Sequence, residues 1–433
     1  MKEPVIGGAR LDEVVEGYRD EIIRTTQELV RLPSENIAPR GYEKDAQNYL
    51  IGKLKGIEAE VDVFNPEDVP GLHGHEAYFP GRDYTGRFNV VAVRRGTGGG
   101  RSLMFSSHVD VVTPKPLPWR TGDPYSGRLE NGRIYGRGSF DMKGGLVATL
   151  FVLRILSDLR IPLKGDLYFE SVVDEENAGS NGTLAARLRG HNADVTIIPE
   201  PSLFDLCPAC KGGRYYRVST SGVAGTGYGG EELANPVYAL APLLSAVEAY
   251  EKRINTDVRA DPLFAGEAKP RGVILDKVQA GDVEAGGNIG IPDQAWFSVF
   301  INTLLDYTDA RQLDEEFFSF LDSRIEGDPR FAKRKPEYRA ITRYLLPFKS
   351  DPNHPVVAAM REGIEHFTRR PARVAGAKFA CDGFIFKHYF NSETYVLGPR
   401  GGGAHAQDEF VEADDLVQLT KIFLLTALRW CNA

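Results

Sequence analysis

Residues 167–176 read Leu167-Tyr168-Phe169-Glu170-Ser171-Val172-Val173-Asp174-Glu175-Glu176, a short and mostly apolar run that closes on three adjacent carboxylates. Two other stretches have the same grammar. Leu103-Met104-Phe105 leads into Ser106-Ser107-His108, and Val195-Thr196-Ile197-Ile198 leads into Pro199-Glu200. A strongly apolar helix over about residues 145–156 stands between the first two runs. Short apolar strands alternating with helices imply an α/β sheet covered on both faces. In such sheets ligands bind beyond the carboxyl ends of the strands, where each of these polar clusters falls.

Outward from this centre, residues 11–31 place Val14, Tyr18, Ile22 and Leu29 at helical spacing, and residues 42–54 read as a second helix. Near Lys211 the pattern changes. Strands are expected at 214–220, 272–279, 295–304 and 344–348. A helix carrying Val237, Leu240, Leu244 and Val247 follows the first, and another, capped by Thr308, runs to about Leu321. The order strand-helix-strand-strand-helix-strand is that of a ferredoxin-like α+β unit. The α/β pattern resumes after Asp351 and closes with a helix over about 414–430. The expected architecture is a three-layer αβα catalytic domain, built from residues 1–211 and 349–433, interrupted by an inserted ferredoxin-like lid at 212–348.

A chain of 433 residues exceeds one ordinary core. Its net charge of −8 argues against a nucleic-acid or anionic-membrane partner, since both need clustered positive charge. The N-terminus has no apolar run of signal-peptide length, and residues 146–156, broken by Arg154, fall short of the roughly 20 needed to span a bilayer. A cytoplasmic location is expected. Four cysteines make no disulfide framework, and Cys207-Pro208-Ala209-Cys210 reads as two ordinary thiols in a loop. The glycine-rich stretch 96–100 lacks the Lys-Ser/Thr of a phosphate cradle.

The chain has only eight histidines. His108 stands two residues before Asp110, and in an extended segment such residues share a face. Asp110 can then fix the ring nitrogen of His108 that points away from a metal. Asp141 lies in a glycine-rich turn, Gly136 to Gly145. Such a turn serves either to expose a carboxylate to a ligand or simply to join strand and helix. The carboxylates of Asp174, Glu175 and Glu176 repel one another, so a strand end holding them beside a pocket calls for a compensating cation. One glutamate would bind metal while its neighbour stays off it as general base. A solvated acidic loop is the competing reading. Glu200 and His405, the latter in Gly401-Gly402-Gly403-Ala404-His405, complete a plausible two-metal set of imidazoles and carboxylates, ligands that zinc accepts.

These motifs, in this order, resemble the family of acetylornithine deacetylase, succinyl-diaminopimelate desuccinylase, aminoacylase and carboxypeptidase G. The stretches that carry the resemblance are Ser107-His108-Val109-Asp110, Gly136-Arg137-Gly138 with Asp141-Met142-Lys143-Gly144-Gly145, Asp174-Glu175-Glu176, Pro199-Glu200-Pro201 and Gly403-Ala404-His405 with Glu409. The resemblance implies two divalent ions, zinc first and cobalt or manganese as alternatives. His108 and Glu200 would hold one ion, Glu176 and His405 the other, and Asp141 would bridge them. Glu175 would be the general base, Asp110 would orient His108, and the Asp141–Met142 peptide bond would be cis. A homodimer formed through the lid is also implied.

Two positions depart from the family. Its lid usually supplies a histidine four residues after a glycine, and counting from Gly222 that place holds Thr226. An arginine that binds substrate carboxylate in several members is replaced by Asn302. Loss of one oxyanion donor costs about 2.7–4 kcal/mol. Either another donor serves, or the substrate differs, or turnover is slow. The expected activity is an N-acyl-amino-acid deacylase acting on a linear amide. The alternatives are a dipeptidase or carboxypeptidase of the same fold acting on short peptides, and a metal-binding protein without catalysis.

Overall fold

The computed structural model describes residues 8–178, 180–230, 232–256, 258, 261–281 and 290–433. It divides into two compact units. One comprises the described residues up to Cys210 with Phe348–Ala377 and Cys381–Ala433; the other comprises Lys211–Pro347 with Lys378–Ala380.

The first unit is built on a mixed sheet. Its strands run in the order Phe348–Lys349, Leu206–Cys210, Glu393–Val396, Val195–Ile198, Leu103–His108, Leu167–Val172, Asn89–Arg94 and Glu60–Phe64, with Val374–Ala377 pairing beside Leu206–Cys210. Every residue of Leu103–His108, Leu167–Val172 and Asn89–Arg94 is buried. Successive side chains on a strand point to opposite faces, so both faces of the sheet are covered. The helices Gly144–Asp158 and Ala413–Trp430 are buried along most of their circumference, and their leucines, isoleucines and phenylalanines enter one core with the sheet. Leu103–His108 lies parallel to both Leu167–Val172 and Val195–Ile198, and Val195–Ile198 lies parallel to Glu393–Val396. The carboxyl ends of these four strands therefore share one edge of the sheet.

The second unit is a four-stranded antiparallel sheet in the order Val273–Ala280, Gln294–Thr303, Gly212–Ser221, Glu337–Ala340. The helices Pro236–Ile254 and Ala310–Ile325 pack on it, burying Leu240, Leu243, Tyr250, Phe317 and Leu321 against Val218, Phe297 and Val299. This is the ferredoxin-like arrangement. Asn235 caps the first helix, accepting from the Val237 N–H at 3.0 Å with Pro236 at the first helical position.

Several local expectations change. The N-terminal helix is two helices, Gly8–Glu16 and Arg19–Val30, interrupted at Gly17, a residue with low helix propensity. Asp309, not Thr308, caps the second lid helix and accepts from the Arg311 N–H at 2.9 Å. The last lid strand is Glu337–Ala340; Phe348–Lys349 belongs to the large sheet instead. Glu-Tyr-Arg-Ala offers only a weak apolar alternation, whereas Tyr344 to Phe348 is richer in apolar residues and draws the eye. Cys207 and Cys210 lie in a buried strand, not a loop.

Candidate active site

The cluster forms where the three parallel strands end. His108 is the last residue of its strand; Asp174, Glu175 and Glu176 follow Leu167–Val172; Glu200 stands two residues beyond Val195–Ile198. Asp141 arrives on the glycine turn. Gly138 adopts a left-handed φ of +81°, open to glycine at little cost. A Cβ on Gly145 would lie 2.2 Å from the Pro199 carbonyl, so only glycine lets this turn approach the strand end that carries Glu200. The Asp141–Met142 peptide is cis.

Asp141 stands between two imidazoles. Its Oδ1 lies 3.4 Å from His108 Nε2, and its Oδ2 lies 3.3 Å from His405 Nε2. His108 Nε2 is also 3.3 Å from Glu200 Oε1 and 3.9 Å from Glu175 Oε2, while His405 Nε2 is 2.9 Å from Glu176 Oε2. All seven expected residues of the metal and base set, with Asp110, thus meet within the first unit. His108 Nε2 and Glu176 Oε1 are buried and have no hydrogen-bond partner among the described residues. Uncompensated buried polar atoms of this kind are costly. Donors on one tetrahedral ion with bonds of about 2.0–2.2 Å lie roughly 3.4 Å apart, close to the spacings seen here. The residues fit a metal site.

The electrostatics agree. Burial pushes Glu200 up to about 8, reinforced by the neighbouring Asp141 carboxylate. Burial also pushes Glu175 well above the carboxylate range, against the pull of His108. Burial would lower His108, but Glu200, Asp141 and Glu175 together hold it well above its ordinary value. Burial would raise Asp141, but the two imidazoles hold it far below. His405, half-exposed at the rim, is raised chiefly by Glu176. So many buried carboxylates, pushed apart in this way, mark a site built to receive cations.

Asp110 does not sit as expected. It is the Asp110 backbone carbonyl that lies 2.8 Å from His108 Nδ1, while the carboxylate stands 3.7 Å away. The carboxylate is occupied instead by the backbone N–H groups of Glu175 and Glu176, at 3.3 and 3.0 Å, and by Asn36 Nδ2 at 2.7 Å. Glu409 plays a similar part on the other side. It accepts from the backbone N–H groups of Gly138, Phe140 and Asp141 and pairs with buried Arg137. The sequence places Glu409 in a motif but assigns it no task. Asn36, Arg82 and Tyr84, which gather around Asp174, come from irregular segments with no periodicity or motif to single them out.

The two lid positions belong to the second unit. Thr226 is exposed. Asn302 is buried, and its Nδ2 donates to the Gly212 carbonyl at 3.4 Å. Its amide is spent within the lid sheet and presents no charge.

A cluster of imidazole and carboxylate donors able to hold metal, set at the carboxyl edge of an αβα sheet with an inserted ferredoxin-like unit, defines a hydrolase acting on amide bonds. The chain belongs to peptidase family M20/M25/M40, whose sequence pattern matches residues 104–429. It is 25% identical over 446 residues to N-formyl-4-amino-5-aminomethyl-2-methylpyrimidine deformylase of Halalkalibacterium halodurans, covering 96% of each chain. The dipeptidase Dug1p of Saccharomyces cerevisiae shares the fold with a TM-score of 0.76 at 13% identity, covering 99% of both chains. The YXEP protein of Bacillus subtilis, described as a dinuclear metal-binding peptidase of the M20 family, does so with a TM-score of 0.61 at 16% identity, over 96% of this chain and 98% of that one. Among the described residues no helix is long and apolar enough to cross a membrane.

Proposed function

We propose that the chain is a two-metal deacylase of linear N-acyl amides. The observation that carries this reading is the position of Asp141, with one carboxylate oxygen turned to His108 and the other to His405. His108 and Glu200 would hold one ion, Glu176 and His405 the other, and Asp141 both. The chemistry such a pair supplies is Lewis acidity toward the scissile carbonyl and a lowered pKa for water. Glu175, largely shielded beside the cluster yet outside the ligand set, takes the proton from the attacking water and delivers it to the leaving amine. Its raised affinity for a proton suits both halves of that task. Asp110 holds the backbone of Glu175 and Glu176 at this edge.

The first substrate class is the N-acyl amino acid, with short peptides hydrolysed by the same chemistry. A second reading, a small N-formyl amine without a carboxylate, is favoured by Asn302, which offers no cation to a substrate acid. The full-length similarity to a pyrimidine deformylase also supports it. The test is a screen of the zinc-, cobalt- and manganese-loaded protein against N-acetyl and N-formyl amino acids, dipeptides and the N-formyl aminomethylpyrimidine. Metal-dependent release of free amine from at least one N-acyl substrate is expected. Full metal loading with no turnover of any substrate would favour a binding protein without catalysis.

A further inference from the structure

Asp174, the first of the three adjacent acidic residues, is fully buried and has a left-handed φ of +75°. Ala178 and Ser180, a few residues on, are left-handed as well, at +53° and +52°. Non-glycine residues rarely adopt this conformation, and they keep it only where the surroundings over-determine it. The surroundings here are explicit. Arg82 Nε donates to Asp174 Oδ1 at 2.7 Å, and its Nη2 contacts the same oxygen. The Tyr84 hydroxyl donates to Oδ2 at 2.5 Å. The Asp174 carbonyl accepts from the Ser180 N–H at 2.8 Å.

Asn36 joins this clamp to the other side of the turn. Its Nδ2 lies within reach of both Asp174 Oδ1, at 3.2 Å, and Asp110 Oδ2, at 2.7 Å. Its Oδ1 accepts from Arg82, and its carbonyl accepts from Asn177 Nδ2 at 2.7 Å. Glu175 and Glu176 are therefore gripped twice. Asp110 takes their backbone N–H groups, and Arg82 fixes the residue before them. Arg82, in direct hydrogen bond to Asp174, and Arg87, whose Nη2 lies 3.5 Å from the same Asp174 oxygen, supply the positive charge that lets the Asp110 and Asp174 carboxylates lie on either side of one amide. The Arg82 side chain is only 3% exposed, so no water replaces it readily.

We propose that Arg82 is a positioning residue for Glu175, holding the turn that starts at Asp174 so that the Glu175 carboxylate faces the metal-binding cluster. This rests on the reading of Glu175 as the base. Among the described residues the side-chain partners of Arg82 are Asp174 and Asn36, not the metal donors, so it acts through those two.

The experiment compares Arg82→Met, Arg82→Lys and Asp174→Asn, each alone and in a Glu175→Gln background, all as the full chain. Near-UV circular dichroism and thermal melting of each variant check the fold. The zinc-loaded proteins are assayed for kcat and KM on the substrate found by the screen. Cobalt(II) replaces zinc in parallel, and its visible absorption reports the ligand geometry, including Glu176 on the same turn. We expect Arg82→Met to fold, to lower kcat by about 100-fold with KM little changed, as a displaced catalytic group does, and to alter the cobalt spectrum as Asp174→Asn does. Arg82→Lys should recover part of the loss. In the Glu175→Gln background Arg82→Met should lower kcat far less than it does alone, the remainder reflecting Glu176 on the same turn. An equal loss in that background, an unaltered cobalt spectrum, or failure of both Arg82 variants to fold would overturn the proposal in favour of a purely structural role. If the parent protein hydrolyses nothing while Arg82→Met still changes the cobalt spectrum, the base assignment fails and the grip on the turn stands.

Discussion

Glu409 accepts the backbone N–H of Asp141 at 3.1 Å, so the loop that carries His405 and the turn that carries Asp141 share one anchor. The same carboxylate takes two more N–H groups and the Arg137 guanidinium, all out of water. Burial pushes Glu409 up to about 7 even with Arg137 beside it, and this cost is offset only while every donor finds it.

Glu409→Gln is expected to destabilise the protein by about 3–5 kcal/mol, because it leaves Arg137 buried without its counter-charge and sets an NH2 against backbone N–H groups. Denaturant unfolding of the metal-free protein measures this. A change under about 0.5 kcal/mol, the level of an ordinary surface substitution, would contradict the anchor.

Glu175→Gln should lower kcat by about 10²- to 10⁴-fold, the usual contribution of a general base, and leave metal content unchanged. Glu176→Gln should lower metal content instead, since Glu176 lies 2.9 Å from His405 within the donor cluster. Elemental analysis after dialysis separates the two. Equal loss of metal in both variants would refute the division of labour.

Metal binding should release protons and tighten as pH rises. His108 is held well above its ordinary value in the metal-free protein, so it carries a proton at neutral pH that a ligand imidazole must lose. Calorimetric titration in buffers of different ionisation enthalpy counts that proton. The metal-free fold should behave in the opposite sense. Glu200 keeps its proton up to about 8 when folded but releases it near 4.5 when unfolded. The folded state thus binds more protons across that interval, and stability falls as pH rises through it. Melting temperatures of chelator-treated protein should decline from about pH 5 to pH 8, and metal loading should flatten the decline.

Asn302→Arg is expected to destabilise the protein by about 1–3 kcal/mol by overpacking. The site lies against Gly272, where even a Cβ would come within 2.8 Å of Asn302 Oδ1. Thr226→His, at an exposed position, should fold normally and raise turnover of N-acyl amino acids by about 10²-fold if it restores a donor to the developing oxyanion. Loss of an activity that the parent protein possessed would show instead that the lid is adapted to another substrate.

The sequence was most readable where chemistry and strand ends coincide. His108, Asp174 to Glu176 and Glu200 each terminate an apolar run, and those runs are the parallel strands of the sheet. Asp141 and His405 were legible through their glycine-flanked motifs. The strand Glu337–Ala340 was not, because half its residues are charged and its apolar side rests on Tyr338 and Ala340 alone. The task of Asp110 was also misread. Two-residue spacing says which face a side chain takes, but not that backbone N–H groups from a distant turn will claim its oxygens. Arg82 was out of reach for a related reason. Its partner lies 92 residues away, and nothing in the local sequence 81–84 announces a buried cation.

The central place of Glu393–Val396, between Val195–Ile198 and Leu206–Cys210, has a consequence for how the chain is made. This strand, which pairs with Val195–Ile198, leaves the ribosome roughly 195 residues after it. At about 5–20 residues per second, the open edge of Val195–Ile198 waits on the order of 10–40 s for its partner while the whole inserted unit is synthesised. That edge is an apolar, unpaired template for any other strand, the situation in which nascent chains aggregate or recruit chaperones. His405 follows the late strand, so the donor cluster is completed only after the sheet has closed. A nascent chain that stalls within the inserted unit would carry Glu175, Glu176 and Glu200 with no second imidazole opposite them.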